Sequence, residues 1–144
     1  MTKHKNHLDQ SYQLDSIENT QAYYSDWATT YDAEIIANGY ASPRRCADAL
    51  AKFVDDKNLH ILDIGCGTGD LAISLSDVFE SVVAIDPNEK MLEIAQAGTN
   101  ITNIEFVVGG MLDVDKLFAD KFFDTILCFG NTVVHLQSLE EIGL

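Results

Sequence analysis

The sequence predicts an α/β fold in which helices flank a parallel sheet. Four short apolar runs have the length of buried strands: 60–64, 81–85, 104–108 and 123–129. Helical patterns from Asp70 to about Phe79 and from Asn88 to Ala97 separate the first three of them. Strands that alternate with helices call for a parallel sheet wound with right-handed crossovers. A length of 144 residues provides for one such domain with a single core.

Helical patterns also precede the first strand. Apolar residues between positions 17 and 35 recur at steps of three, four and seven, so they share one face of a helix. Gly39 is suited to end that helix in the left-handed conformation, and Ser42 and Pro43 to begin a second one as N-cap and first helical residue. We therefore expect two N-terminal helices. The polar residues 1–15 predict a flexible tail in front of the folded domain.

The charge of the chain argues against two classes of partner. Lys and Arg number 9 against 23 Asp and Glu, a net charge of −14 with neutral histidines. A field of that sign repels nucleic acid phosphates and anionic lipid heads, so we expect neither nucleic acid nor membrane as a partner. Cys46, Cys66 and Cys128 are widely spaced and odd in number, which favours a reducing, cytoplasmic location over disulfides or a zinc site.

A glycine-rich segment and an acidic residue together predict a nucleoside site at the strand ends. Gly65, Gly67 and Gly69 lie between the first strand and the next helix, where the backbone must turn sharply and approach a ligand closely. Asp86 ends the second strand about 20 residues later, in position to accept hydrogen bonds from both ribose hydroxyls. A tight turn without ligand and a simple helix cap are the alternatives. The combination favours a Rossmann-like site.

Two aspartates indicate which nucleoside it is. The third glycine of the dinucleotide fingerprint would fall at position 70, which is Asp70. A carboxylate at a helix N-terminus competes with a pyrophosphate for the same backbone amides, which disfavours a nicotinamide-dependent oxidoreductase. Asp63 adds negative charge beside the glycine loop. That charge suits a ligand with an ammonium or sulfonium group.

Three segments in order resemble motifs of the class I S-adenosylmethionine-dependent methyltransferases: LDIGCGTG, VVAIDPNEKMLEIA and FDTILCFGNTVVHL. AYYSDWATTYDAEI resembles the N-terminal helix of many small-molecule members. The resemblance covers roughly residues 20–140 and makes 16–144 a cofactor-binding domain. It implies S-adenosylmethionine as cofactor and methyl transfer to a small-molecule acceptor. A non-catalytic binding or interaction module is the alternative.

The resemblance also implies a set of cofactor contacts. Asp86 would hold the ribose hydroxyls, and the backbone at 65–67 would line the methionine portion. Four side chains after the second and third strands would pack on the adenine, two residues after the fourth strand would flank the sulfonium, and a tyrosine of the N-terminal helix would cover the cofactor. With Asp63, the expected cofactor-binding residues are Tyr24, Tyr31, Asp63, Gly65, Cys66, Gly67, Asp86, Pro87, Met91, Met111, Leu112, Phe129 and Gly130.

Two positions qualify this assignment. Gly110 stands where the family often has an acidic residue that contacts the adenine amino group, so we expect that contact to be missing or made by backbone. His135 is the one candidate catalytic residue, because some relatives carry a histidine there near the substrate. A buried or capping role for His135 is an equal alternative.

The resemblance implies a seven-stranded sheet of order 3-2-1-4-5-7-6, of which this sequence supplies strands 3-2-1-4. The chain is therefore expected to be a fragment or a short natural form. Its fourth strand would be an apolar sheet edge, which predicts association between copies of the chain or marginal stability. Little or no methyl transfer is expected from this form alone, since the acceptor side would be absent.

Overall fold

The computed structural model describes residues 7–11 and 13–129. The four strands within this part form one parallel sheet of order β3-β2-β1-β4, which confirms the predicted fold class and strand order. The strands are β1 (His60–Ile64), β2 (Ser81–Asp86), β3 (Ile104–Val108) and β4 (Thr125–Cys128). The helices are α1 (His7–Ser11), α2 (Ile17–Trp27), α3 (Tyr31–Ala37), α4 (Ser42–Phe53), α5 (Asp70–Ser76), α6 (Glu89–Ala97) and α7 (Val114–Leu117), with a 3₁₀ turn at Met111–Asp113.

The central strands are buried on both faces. Ile61 and Val82 pack in one cluster with residues of α4 and α5. Leu62 and Ile85 pack on the other face, together with Phe118. Strands that are covered on both sides are continuous apolar runs, and this is why their positions could be predicted from composition.

The register of the sheet aligns the carboxyl ends of the strands. Ile64 pairs with both Ile85 and Cys128, and Asp86 pairs with Val108. The residues that follow these strands therefore meet at one edge of the sheet. In open parallel sheets this edge is where ligands bind.

The prediction of two N-terminal helices was wrong, since the described residues before β1 form four helices. The helix predicted from Ser16 to Gly39 is divided into α2 and α3 by the turn at 28–30. The side chain of Thr30 donates a hydrogen bond of 2.7 Å to Glu34 Oε1, and its backbone N–H donates to Trp27 O. The same hydroxyl also lies 3.5 Å from Trp27 O, and a threonine contact to a backbone carbonyl of this kind competes with regular helix bonds. The apolar period continues across the break, so it did not indicate the division.

Helix α1 lies within residues 1–15, the segment that was expected to be a flexible tail. The His7 ring lies 5.5 Å from the Trp27 ring and 5.8 Å from the Tyr23 ring, between centroids. Tyr23 Oη donates to His7 O at 2.5 Å, and Ser11 is buried. The aromatic residues of α2 thus provide a packing surface for α1. The polar composition of residues 1–15 did not indicate this contact.

Several predicted element ends are confirmed and others shift by a few residues. Gly39 has a φ of +76° after α3, and the side chain of Asn88 caps α6 by accepting from Met91 N at 3.2 Å. Ser42 is the first residue of α4, and Ala41 holds the N-cap position instead. β4 is shorter than the predicted run 123–129, and α5 ends at Ser76 instead of near Phe79.

Gly69 is where the glycine loop enters α5, with a φ of +88°. A β-carbon there would lie 3.1 Å from Ala95 Cβ and 3.2 Å from Phe106 Cε1. We expect Gly69→Ala to lower the free energy of unfolding by about 2–4 kcal/mol, because left-handed strain adds to overpacking. Gly39→Ala is the matched control, since no atom lies within 4 Å of its added carbon, and should cost about 1–2 kcal/mol. Denaturant unfolding measures both, and equal losses would contradict the packing argument.

Candidate cofactor site

A cavity of about 370 Å³ lies at the carboxyl ends of β1 and β2. Its walls come from the glycine loop, the residues after β2 and β3, and the helices α2 and α3. The volume is that of a small-molecule site. The position is the one that open parallel sheets use for ligands, so the fold and the cavity indicate the same place.

The structure brings together twelve of the predicted cofactor-binding residues around this cavity. Gly130 and the catalytic candidate His135 lie outside the described residues. The cofactor roles of the twelve remain predictions. They are Tyr24, Tyr31, Asp63, Gly65, Cys66, Gly67, Asp86, Pro87, Met91, Met111, Leu112 and Phe129.

Sequence reasoning missed a second group of lining residues. Ile17 and Gln21 line the cavity from α2, together with the predicted Tyr24. Their spacing of four and three places them on one helical face, so this signal was available. Asn88 and Asp113 also line the cavity. Asn88 had been interpreted as a helix cap alone, and Asp113 had no assigned part in the site.

The glycine loop is held against the end of β2. The N–H groups of Gly65 and Cys66 both donate to Ile85 O, at 2.8 and 3.0 Å. Gly67 has a φ of +54°, and among the described residues beyond its two chain neighbours no heavy atom lies within 4 Å of a β-carbon built on it. A side chain at Gly67 would therefore occupy open space beside the cavity. The loop combines a fixed backbone with room for a closely approaching ligand.

Asp86 organises the loop as well as lining the cavity. Its Oδ2 accepts from Gly67 N at 2.9 Å, and its Oδ1 accepts from Asn88 N at 2.8 Å. Burial raises the pKa of the Asp86 carboxyl, and the two backbone N–H groups oppose that shift. Each carboxylate oxygen has further lone pairs for hydroxyl donors. Asp86 thus fixes the turn and can still accept hydrogen bonds from a ligand.

Asp63 has a buried oxygen without a partner. The residue is 2% exposed, and its Oδ2 atom has no hydrogen-bond partner among the described residues. Burial, and then the neighbouring Asp86 charge, raise the pKa of Asp63 from 3.8 to about 7. Native proteins rarely leave such an atom unsatisfied without a functional reason. Asp63 also lines the cavity, so this buried carboxyl borders the space that a ligand would fill.

The described walls of the cavity carry negative charge and no basic side chain. Asp63, Asp70, Asp86 and Asp113 line it, and no Lys, Arg or His is among the described lining residues. Burial, and then the charge of Asp32, raise the pKa of Asp70. Carboxylates that destabilise one another in a buried site favour a positively charged ligand.

Neither Cys66 nor Tyr31 is activated as a nucleophile. Burial raises the pKa of the Cys66 thiol, and the charges of Asp63 and Asp86 raise it further. Burial also raises the pKa of Tyr31. Both groups are therefore protonated near neutral pH, and a protonated thiol is a poor nucleophile. The sequence also places no base near Cys66, which favours a small loop residue over a nucleophile.

The position of Gly110 differs from what the sequence led us to expect. Gly110 lines the cavity, and its N–H donates to Asp113 Oδ2 at 2.9 Å. The carboxylate of Asp113 folds back to within 3.7 Å of a β-carbon built on Gly110. An acidic group therefore lies beside this position although the residue itself has no side chain.

Aromatic rings of α2 and α3 form the wall opposite the strands. Tyr24 and Tyr31 line the cavity, and Trp27 is buried behind them. The Trp27 ring stacks on Tyr24 at 5.9 Å and meets Tyr31 edge-on at 4.7 Å, between centroids. Trp27 therefore has a packing role, and the two tyrosines face the ligand space.

Other types of site are not found in the described part of the chain. No three of its His, Cys, Asp or Glu side chains are grouped so that they could hold a metal ion. None of its helices has the length and apolar character needed to span a membrane.

Comparison with known proteins identifies the family. A family model described as a methyltransferase domain matches residues 61–142. The chain belongs to this family. The predicted class I methyltransferase assignment and S-adenosylmethionine as the cofactor are confirmed.

The relatives of this methyltransferase domain are longer proteins. The malonyl-[acyl-carrier protein] O-methyltransferase of Acetivibrio thermocellus is 32% identical over 140 residues, which cover 86% of this chain and 46% of the relative. The protein of the same name from Bacillus cereus is 29% identical over 93 residues, which cover 63% of this chain and 33% of the relative. The chain thus spans less than half the length of these two relatives.

A solved structure shows the same fold. The S-adenosylmethionine-bound amino pentose methyltransferase from Micromonospora echinaspora matches this methyltransferase domain with a TM-score of 0.67. The match covers 78% of this chain and 47% of that one, at 22% identity. At this identity the comparison supports the fold and leaves the acceptor undetermined.

Proposed function

We propose that this chain binds S-adenosylmethionine and supports transfer of its methyl group to a small-molecule acceptor. The observation that carries the proposal is the unpartnered, buried Asp63 oxygen beside Asp86, in a cavity whose described walls have no basic residue. An anionic ligand would be repelled by these carboxylates, and a neutral ligand would leave their charge without a counter-charge. A ligand with a ribose and a positive charge suits both carboxylates.

The residues around the cavity fit such a cofactor. Asp86 would accept from the ribose hydroxyls, and Asp63 would face a positive charge of the methionine portion. The open space at Gly67 leaves room for that portion against the loop backbone. Met91 and Met111 would supply apolar contacts for the adenine. When bound, S-adenosylmethionine supplies an electrophilic methyl group on a sulfonium sulfur.

The part of this chain in the reaction is to bind, orient and exclude water. Tyr24 and Tyr31 would cover the bound cofactor from α2 and α3, which limits access of water to it. Holding an acceptor nucleophile in line with the methyl group supplies much of the rate enhancement for a displacement of this kind. A small-molecule acceptor is proposed because the segment AYYSDWATTYDAEI resembles the N-terminal helix of small-molecule members of the family. A cytoplasmic location is proposed with it, on the odd number and wide spacing of the three cysteines.

Titration calorimetry on the 144-residue chain tests the proposal. We expect S-adenosylmethionine and S-adenosylhomocysteine to bind with dissociation constants of about 1–100 μM, and NADH to bind far more weakly. Near-ultraviolet circular dichroism confirms that the protein is folded in the same samples. No binding of either compound up to about 1 mM by folded protein would contradict the proposal. Preference for NADH would favour an oxidoreductase instead.

A further inference from the structure

Asn88 makes more contacts than a helix cap requires. It is 6% exposed. Its backbone N–H donates to Asp86 Oδ1 at 2.8 Å, and its Oδ1 accepts from Met91 N at 3.2 Å. Its Nδ2 donates to Gln21 O and to Ser25 Oγ, both at 3.0 Å. One residue thus contacts the Asp86 carboxylate, the start of α6 and the helix α2.

Capping explains only part of this arrangement. A cap needs a side-chain oxygen that accepts from the first turn of the helix, and a serine or aspartate supplies one equally well. The amide group of Asn88 adds two donors, which are costly to bury without acceptors. Those acceptors belong to α2, more than sixty positions earlier in the chain. The amide therefore serves a contact between elements.

The helix that Asn88 holds is a wall of the cavity. Gln21 and Tyr24 line the cavity from α2. A second hydrogen bond, from Thr68 Oγ1 to Asp32 Oδ1 at 2.5 Å, joins the glycine loop to α3. Helix α2 is thus hydrogen-bonded to the loop that follows Asp86, and helix α3 is hydrogen-bonded to the glycine loop. Movement of α2 and displacement of these loops are mechanically connected.

We propose that Asn88 is a positioning residue that holds α2 over the cavity and keeps the Asp86 carboxylate in place, so that closure of α2 and cofactor affinity change together. The affinity part of this inference rests on the proposed function. The closure part concerns the ligand-free protein alone.

The substitution Asn88→Ser isolates the amide. Serine retains a cap oxygen for Met91 N and adds no charge, but it has no amide group to reach α2. Asn103→Ser is the matched control, because Asn103 Nδ2 donates to Ser76 O and Phe79 O, both at 3.0 Å, and Asn103 is not among the described lining residues.

Trp27 reports directly on α2. It is the single tryptophan of the chain, lies at the end of α2 and is 1% exposed. We expect Asn88→Ser to increase acrylamide quenching of Trp27 in the ligand-free protein by about twofold or more. The same substitution should weaken S-adenosylhomocysteine affinity by about tenfold in calorimetry, as expected for lost buried hydrogen bonds. Asn103→Ser should lower the thermal midpoint without either effect.

The outcomes separate the two parts of the account. Wild-type quenching and affinity in folded Asn88→Ser would overturn the inference, as would a loss of thermal stability alone that matches Asn103→Ser. If the wild-type chain bound no S-adenosylhomocysteine, the proposed function would fail while the quenching result still decided the role of Asn88. If Asn88→Ser did not fold, Ser25→Ala removes one acceptor of the amide and should give a smaller increase in quenching; unchanged quenching would contradict the inference.

Discussion

Replacing Asp63 with asparagine should weaken S-adenosylmethionine binding and yet stabilise the ligand-free protein above neutral pH. Asparagine has nearly the same shape but cannot carry the charge that the unpartnered Oδ2 atom holds in the cavity. The cost of burying that charge disappears, and so does its attraction for a cation. We expect the affinity to fall by about tenfold to a hundredfold.

The pH dependence follows from the pKa of Asp63. Its value is about 7 in the folded protein against 3.8 ordinarily, so the folded state binds more protons than the unfolded state between these values. The stability of the ligand-free wild type should therefore fall as pH rises from about 4 to about 7, and stay low above that. The loss at pH 8 should be on the order of a few kcal/mol.

Thermal denaturation at pH 5 and pH 8 checks this prediction. The Asp63→Asn protein should lose less stability than the wild type between the two values and be the more stable at pH 8. Asp48→Asn is the control, since Asp48 is exposed on α4 and pairs there with Arg44. It should leave the pH dependence near that of the wild type. If Asp63→Asn were less stable than the wild type at pH 8, the prediction would be wrong, because the Asp63 carboxylate would then have stabilising partners in the ligand-free protein.

Replacing Asp86 with alanine should reduce both stability and cofactor affinity. From the sequence alone we expect little effect on the fold, because a carboxylate at a strand end is not part of the apolar core. The structure corrects this, since Asp86 accepts from Gly67 N and Asn88 N. Two unpaired backbone donors should cost about 2–4 kcal/mol of unfolding free energy. Loss of the ribose acceptor should weaken S-adenosylhomocysteine binding by about tenfold to a hundredfold.

A matched variant separates these two losses. Asp124 Oδ2 accepts from His60 N at 2.8 Å at the start of β1, and Asp124 is not among the described lining residues. Asp124→Ala should lower the unfolding free energy without changing affinity. Denaturant unfolding and calorimetry on both variants measure the two effects. Unchanged affinity in folded Asp86→Ala would remove Asp86 from the site.

Much of the fold and the site could be predicted from local sequence patterns, the apolar runs of the strands and the residues that follow them. Tertiary contacts did not change the structure that these patterns favour. β1 and β3 have the predicted bounds, since continuous apolar runs suit a sheet covered on both faces. Gly65 and Asp86 came together because parallel register aligns the strand ends. These features need no knowledge of distant contacts.

The features that escaped prediction depend on contacts between distant segments. The division between α2 and α3 follows from the hydrogen bonds of Thr30, while the apolar period runs through it. Helix α1 depends on the rings of Tyr23 and Trp27. The charge of Asp63 was evident from the sequence, but its burial without a partner was not. The amide of Asn88 has partners in α2 that no local rule indicates.

The central claim is that a positive charge of S-adenosylmethionine compensates Asp63. Calorimetry at pH 7 in two buffers of different ionisation enthalpy tests it most directly, with wild type and Asp63→Asn compared. Because Asp63 has a pKa of about 7 in the ligand-free protein, the wild type should release about half a proton per bound ligand more than the variant. Equal proton release and equal affinity in the two proteins would contradict the claim.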